Sequence, residues 1–269
     1  MIFLPPVATG GVAPHAITCL PGTGQLFPVG ATTVACSVVD AANAMATCSF
    51  TVEVVAVARL RRTRFMAFGD SVTAGEVTAP ANGARPIAGR PRQIVLASAS
   101  YPRVLENLLR QRYLAQSISV VNAGLTGDSA AEAFPRFLSA MAVNRPEVVL
   151  LLMGYNDVES RASVEAASRS LDRMAKEARG RGARVFVATL TPIIQGRSRS
   201  QPDALVQQLN TAIRSLAAGE GAVLVDLYQA ALPNVDAWVG VDGLHPTEAG
   251  YARMAEQFFE AIRADLDAR

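Results

Sequence analysis

Apolar and polar residues alternate early in the chain and then bunch into solid apolar runs, the change of rhythm falling near residue 58. Thr32 to Val38 and Thr47 to Val54 read as two β-runs around Asp40-Ala41-Ala42-Asn43, a cluster of turn formers, so a hairpin is predicted. With its turn centred near Ala42, Cys36 and Cys48 fall opposite each other, where a cross-strand disulfide is geometrically possible. Beyond Thr63, strand and helix alternate. Runs at Arg64 to Phe68, Ile118 to Val121, Val148 to Met153, Val185 to Leu190 and Ala222 to Leu227 suit strands buried on both faces of a parallel sheet. Helical spacing is clear at Leu205, Leu209, Ala212, Ile213 and Leu216, and again at Tyr251, Met254, Ala255, Phe258 and Ile262. The expected fold is α/β: a three-layer α/β/α sandwich on a five-stranded parallel sheet, flavodoxin-like order 2-1-3-4-5, because right-handed crossovers leave few alternatives. A small partial β module over residues 1–58 precedes this domain of residues 59–269.

Composition narrows the classes. The 269 residues are 50% hydrophobic and 18% charged, enough for one sizeable core plus a smaller module. A net charge of +2 supplies no footprint for nucleic acid or an anionic membrane, and Arg61, Arg62 and Arg64 read as a solvated linker. No apolar run approaches the roughly 18 residues that span a bilayer, and the opening Met1-Ile2-Phe3-Leu4 lacks the basic n-region of a signal peptide. Cys19, Cys36 and Cys48 form no CxxC pair and have only His15 nearby, so disulfides are expected and a metal site is not.

In open parallel sheets, sites form at the carboxyl ends of strands where the strand order reverses. Gly69-Asp70-Ser71 ends the first strand, Asn122-Ala123-Gly124 the second and Gly154-Tyr155-Asn156-Asp157 the third, while Asp242-Gly243-Leu244-His245-Pro246 precedes the last helix. Each group alone is ordinary turn or cap chemistry. Converging on one rim, they supply a nucleophile, oxyanion donors and an acid-plus-base pair.

These blocks resemble those of the SGNH (GDSL-like) hydrolase superfamily over about residues 64 to 265, with Tyr155 standing where Gly or Thr is frequent. The resemblance implies a serine esterase forming an acyl-enzyme on Ser71, with an oxyanion hole from the Ser71 and Gly124 backbone N–H groups and the Asn156 side chain, and no metal or organic cofactor. A Ser hydroxyl needs a base, and that base needs a partner to hold its tautomer. Of two histidines, His15 lies in the cysteine module, which leaves His245 as the base and Asp242, three residues earlier, as its orienter. Gly127-Asp128-Ser129 repeats the nucleophile triplet, but Ser129 follows a loop and reads as the N-cap of an Ala-rich helix from Ala130. Carbohydrate (acetyl) esterases, lysophospholipases and thioesterases share the scaffold, and an adhesion protein with an inactive hydrolase domain is the reading from a different class.

Cys19-Leu20-Pro21-Gly22 onward, with Cys36, Asp40 and Cys48-Ser49-Phe50-Thr51-Val52, resembles the C-terminal half of a hyalin-repeat (HYR) module, an extracellular immunoglobulin-like sandwich. That implies a front-truncated module, Cys19 without an obvious partner, and an exported or cell-surface parent protein. The residues fix no oligomeric state. The segment Glu76 to Ser100 is long for a strand-to-helix connection, and is expected to run as an irregular loop carrying Pro80, Gly83, Pro86, Gly89 and Pro91 beside Ser71. Its only apolar patch, Ile94-Val95-Leu96, is too short to line a fatty-acyl channel, so the expected substrate is a small, short-chain ester.

Overall fold

A computed structural model describes residues 1–78, 93–160, 163–199 and 202–268. The chain divides into two units, Met1–Val57 and Ala58–Arg269. Ala58 packs against the core of the second unit, which moves the boundary expected between residues 58 and 59 back by one.

In the first unit three antiparallel strands, β1 (Ala16–Leu20), β2 (Gly30–Val39) and β3 (Met45–Val54), pair in that order. The hairpin turn follows from Asp40, whose Oδ1 accepts the N–H groups of Ala42 and Ala44 at 2.9 and 2.8 Å. Cys36 does stand opposite Cys48, but it also stands opposite Cys19 on β1, and the disulfide joins Cys19 to Cys36. Cys48 is a free, exposed thiol. The expectation that Cys19 lacks a partner is thereby corrected. Its strand, a five-residue run ahead of Pro21, was missed in the hydrophobic pattern.

The second unit is built in chain order from β4 (Arg64–Gly69), α1 (Ser71–Ala74), β5 (Glu76–Thr78), β6 (Gln93–Val95), α2 (Tyr101–Arg112), β7 (Ser119–Gly124), α3 (Phe134–Asn144), β8 (Val148–Leu152), α4 (Tyr155–Glu159), α5 (Val164–Gly180), β9 (Arg184–Ala188), α6 (Asp203–Glu220), β10 (Val223–Val225), α7 (Leu227–Ala231) and α8 (Glu248–Leu266). Its five-stranded sheet is parallel with the order β7-β4-β8-β9-β10, which is the 2-1-3-4-5 arrangement. All five residues of β8 are buried, as a central strand covered on both faces requires. Helix α8 buries Tyr251, Met254, Ala255, Phe258 and Ile262 and packs on α2, with the Phe258 and Tyr101 rings stacked at 4.9 Å. Helix α6 packs on α5 and buries Asn210, whose amide donates to the Leu190 carbonyl and accepts the Leu190 N–H, fixing the segment after β9.

Two expectations fail locally. Residues 130 to 132 form a turn, and the helix starts only at Phe134 without a cap from Ser129; the Ala130 and Ala131 N–H groups donate to the Asp157 carboxylate from α4. The segment after the nucleophile is also less irregular than expected, because β5 and β6 pair antiparallel, Glu76 with Val95 and Thr78 with Gln93. Pro80, Gly83, Pro86, Gly89 and Pro91 lie outside the described residues.

Because every expected site residue lies in the second unit, removing residues 1–57 should leave a soluble, folded protein with ester turnover within about threefold of the full chain. Circular dichroism and a nitrophenyl acetate assay check this, and an insoluble or unfolded product would show that the units depend on one another.

Candidate active site

Strand β4 lies between β7 and β8, so its carboxyl end faces the point where the strand order reverses. Gly69 is required there by close approach, since a Cβ would come within 2.1 Å of both the Leu152 carbonyl and Thr73 Oγ1. Asp70 is the N-cap of α1, with Oδ1 accepting the Val72 N–H at 3.1 Å. Its other oxygen accepts the Gly154 and Tyr155 N–H groups, each at 3.3 Å, tying the end of β4 to the end of β8. Burial pushes the Asp70 carboxyl up to about 6 against the pull of those three N–H groups. The cap is thus Asp70, and Ser71 is left at the first position of α1, where its N–H has no acceptor within the helix.

His245 and Asp242 come from a tight loop between residues 240 and 247. Asp242 Oδ1 accepts the backbone N–H groups of Leu244 and His245, both at 3.0 Å, while Oδ2 lies 2.6 Å from His245 Nδ1. Burial opposes ionisation of Asp242, but the imidazole and the two backbone donors outweigh it and hold the carboxyl down at about 2. A carboxylate on Nδ1 fixes the tautomer with its proton there and leaves Nε2 as an acceptor. His245 Nε2 stands 3.0 Å from Ser71 Oγ, across 174 residues of sequence. Ser71, Asp242 and His245 are all almost fully buried. His15 is elsewhere, in the first unit, with Nε2 on the Gly10 carbonyl.

Around the serine the rim is organised by side chains on backbone groups. Gly124 is wedged against α1, where a Cβ would meet Ala74 N at 2.2 Å, and its N–H donates to Asn122 Oδ1 at 2.9 Å. In the resting structure that N–H is engaged by the Asn122 side chain. In the turn that follows, the Gly127 N–H has no acceptor among the described residues. Asn156 donates from Nδ2 to the Asp128 carbonyl at 2.8 Å, which sets its amide beside this same turn and leaves its second amide hydrogen uncommitted by that bond. Arg136 binds the turn down: it donates to Asp128, to the Ala123 carbonyl at 2.7 Å and to the Gly69 carbonyl at 2.9 Å, with its guanidinium over the Phe68 ring. Tyr155, expected to shape a pocket, is buried, and its hydroxyl pairs with Thr191, so it braces the loop after β9. In the repeated triplet, the Ser129 carbonyl accepts the Glu132 and Ala133 N–H groups, whereas the His245 imidazole faces Ser71.

Reasoning from sequence missed Asp70 as the cap, Arg136, and Glu76, whose carboxylate lies buried 3.6 Å from His245 Nε2. Asp70 was legible as an Asp two residues before an N–H at a strand-to-helix turn. Arg136 and Glu76 act through tertiary contacts that no local spacing announces. Among the described residues no group of three or more His, Cys, Asp or Glu side chains could hold a metal, and no helix is long and apolar enough to cross a membrane.

A three-layer sandwich with Ser, His and Asp hydrogen-bonded in series on its carboxyl rim places this protein among the hydrolases. Within that class, the GDSL-like lipase/acylhydrolase family pattern matches residues 67–253, and the chain belongs to that family. Residues 7–54 match the HYR domain. Esterase TesA of Pseudomonas aeruginosa is 26% identical over 146 residues, which is 54% of this chain and 69% of that protein. Two solved structures share the fold: a lipase/acylhydrolase from Enterococcus faecalis (TM-score 0.61, 22% identity, 76% of this chain and 97% of that one) and the acetylxylan esterase Axe2 from Geobacillus stearothermophilus (TM-score 0.59, 19% identity, 76% and 94%).

The geometry predicts two separable effects of Asp242→Asn. Turnover should fall by about 10³ to 10⁴ because the amide no longer enforces the Nδ1–H tautomer. Asp242 is held below its unfolded value, so its contribution to stability is present above pH 4 and disappears as pH falls toward 2. Urea midpoints measured from pH 6 to 2 should therefore converge for wild type and variant at the acid end, and parallel curves would contradict the assignment.

Proposed function

We propose that this protein is a serine esterase that hydrolyses short-chain carboxylic esters of small substrates through an acyl-enzyme on Ser71, without a metal or organic cofactor. The single observation that carries the reading is the unbroken relay from Ser71 Oγ to His245 Nε2 at 3.0 Å and from His245 Nδ1 to Asp242 Oδ2 at 2.6 Å. His245 takes the Ser71 proton as the hydroxyl attacks the ester carbonyl, and Nε2 then delivers it to the departing alcohol. Water repeats the cycle on the acyl-enzyme. Asp242 stays ionised throughout and stabilises the imidazolium.

The tetrahedral intermediate needs donors in place before the charge develops. Ser71 N–H and the Asn156 amide remain in that role. The Gly124 N–H is the third donor, exchanging its Asn122 Oδ1 acceptor for the oxyanion as the charge develops. Arg136 and Asp70 act at one remove, fixing the backbone that carries the donors.

Small acyl groups suit a serine and histidine so deeply buried, and the apolar patch at residues 94–96 is too short to serve a fatty chain. Ile94 and Leu96 pack against the core, which leaves only Val95 of that patch largely exposed.

Ser71→Ala should lower kcat by about three to six orders of magnitude with the fold intact, and Asn156→Ala by about 10² to 10³ with little change in KM. Ser129→Ala should match wild type. A nitrophenyl ester series from about two to sixteen carbons should peak between acetyl and hexanoyl, each fitted methylene contributing at most about 0.8 kcal/mol. A maximum at ten carbons or longer would overturn the short-acyl claim.

A further inference from the structure

Strand β5 carries Glu76 directly after the nucleophile helix, and its carboxylate is 5% exposed with Oε1 3.6 Å from His245 Nε2, the same nitrogen that faces Ser71. The strand is anchored by the Tyr251 hydroxyl of α8, which donates to the Glu76 carbonyl at 2.7 Å. On the paired strand the Gln93 amide lies between Arg199 and Glu76, and the amide orientation that satisfies both ends has its oxygen accept from Arg199 Nη1 at 3.2 Å and its nitrogen donate to Glu76 Oε1 at 2.8 Å. Arg199 also contacts Glu159 and donates its backbone N–H to the Asp242 carbonyl at 2.8 Å. Glu76 Oε2 has no partner among the described residues, and neither has Arg199 Nε.

A buried carboxylate with one oxygen unpartnered is unfavourable in the resting enzyme. A positive charge forming beside it removes that penalty, and one forms at each chemical step when Ser71 or water gives its proton to Nε2. We propose that Glu76 is a second carboxylate acting on the His245 imidazole, a positioning residue that favours the imidazolium of the transition state over the neutral ring of the resting state. The proposal rests on the Ser71–His245–Asp242 reading above. Interactions stronger in the transition state than in the ground state raise kcat, and a charge met only there does so selectively. Asp242 holds Nδ1 and its proton permanently; Glu76 faces the nitrogen whose charge state changes. The groups facing the imidazole are Ser71 from α1, Asp242 from its own loop, Glu76 from β5, and Asp70 at a distance from the end of β4.

The test compares kcat/KM for nitrophenyl acetate from pH 4 to 9 in wild type, Glu76→Gln and Glu76→Asp. Removing an anion beside Nε2 makes the ring harder to protonate, so the acid limb of Glu76→Gln should move down by about one pH unit. A weaker base also lowers the plateau, by about tenfold for one such unit. Glu76→Asp, which keeps the charge but withdraws it, should fall between the two. The Glu76→Gln thermal midpoint at neutral pH should equal or exceed that of wild type, since the unpartnered charge is gone. A merely structural glutamate would lower the plateau with the acid limb unmoved, and that result in either variant overturns the proposal, as does an acid limb that moves up. Stoichiometric labelling of wild type by a serine-directed phosphonate keeps the failures apart: no label would sink the triad itself, whereas labelling with an unmoved acid limb sinks only Glu76.

Discussion

One buried carboxylate, that of Asp70, joins the two strand ends on which the whole rim is built. It accepts N–H groups from α1 on one side and from the start of α4 on the other. Without it, three buried donors would lose their acceptor, and the serine turn and the Asn156 turn would have no common reference. Burial makes its ionised form unfavourable, and the three donors offset only part of that. The same tension between burial and hydrogen bonding recurs at Asp242, where the imidazole tips the balance the other way. Two aspartates of the same chemistry are thus held far apart in acidity by what surrounds them.

The parallel sheet supplies the frame, and the frame explains why residues 174 positions apart can meet at hydrogen-bond distance. Ser71 must follow β4, because only there does a strand end face the gap left where neighbours run off in opposite directions. His245 follows no strand of the sheet. It arrives on a loop whose geometry is local, with Asp242 folding back on the backbone of the residue it orients. Orientation of the base therefore costs little chain entropy, and the loop is placed by the docking of α8 on α2, where the Tyr101 and Phe258 rings stack, and by the Ile194 and Arg199 N–H groups on the Gly243 and Asp242 carbonyls.

Patterns with a period were readable in the sequence, and contacts without one were not. Five solid apolar runs predicted the sheet, and right-handed crossovers left few orders for it; Ser71 stood apart from the repeated triplet at Ser129 because it follows a strand, and His245 because the other histidine lies in the cysteine module, with Asp242 three residues before it. The failures share a cause. The helix expected from Ala130 begins only at Phe134, and the Ala130 and Ala131 N–H groups are instead held by Asp157, 27 and 26 residues away. Strand β1 lies opposite a cysteine that already had a plausible partner, so residue spacing favoured the wrong disulfide. Gly124 enters as a donor through the family resemblance; its close approach is to Ala74 of α1, and in the resting structure its N–H rests on Asn122. A glycine's steric signature does not say which neighbour it admits.

That last distinction reaches beyond one residue. In the proposed mechanism the rim separates groups that hold the backbone from groups that meet developing charge, and the two are interleaved in sequence: Gly69 and Asp70 belong to the first set, Ser71 and Asn156 to the second. Backbone-holding groups are recognisable by being saturated, as Asp70 and Arg136 are, with partners on several sides. Groups proposed to await charge are incomplete in the resting state, as the Ser71 N–H is at the first position of its helix. An unsatisfied buried polar group is unfavourable to the fold, so it persists where the reaction completes it. Saturation, which is visible only in three dimensions, therefore sorts the scaffold from the chemistry where residue identity cannot, because the same glycines and aspartates serve both.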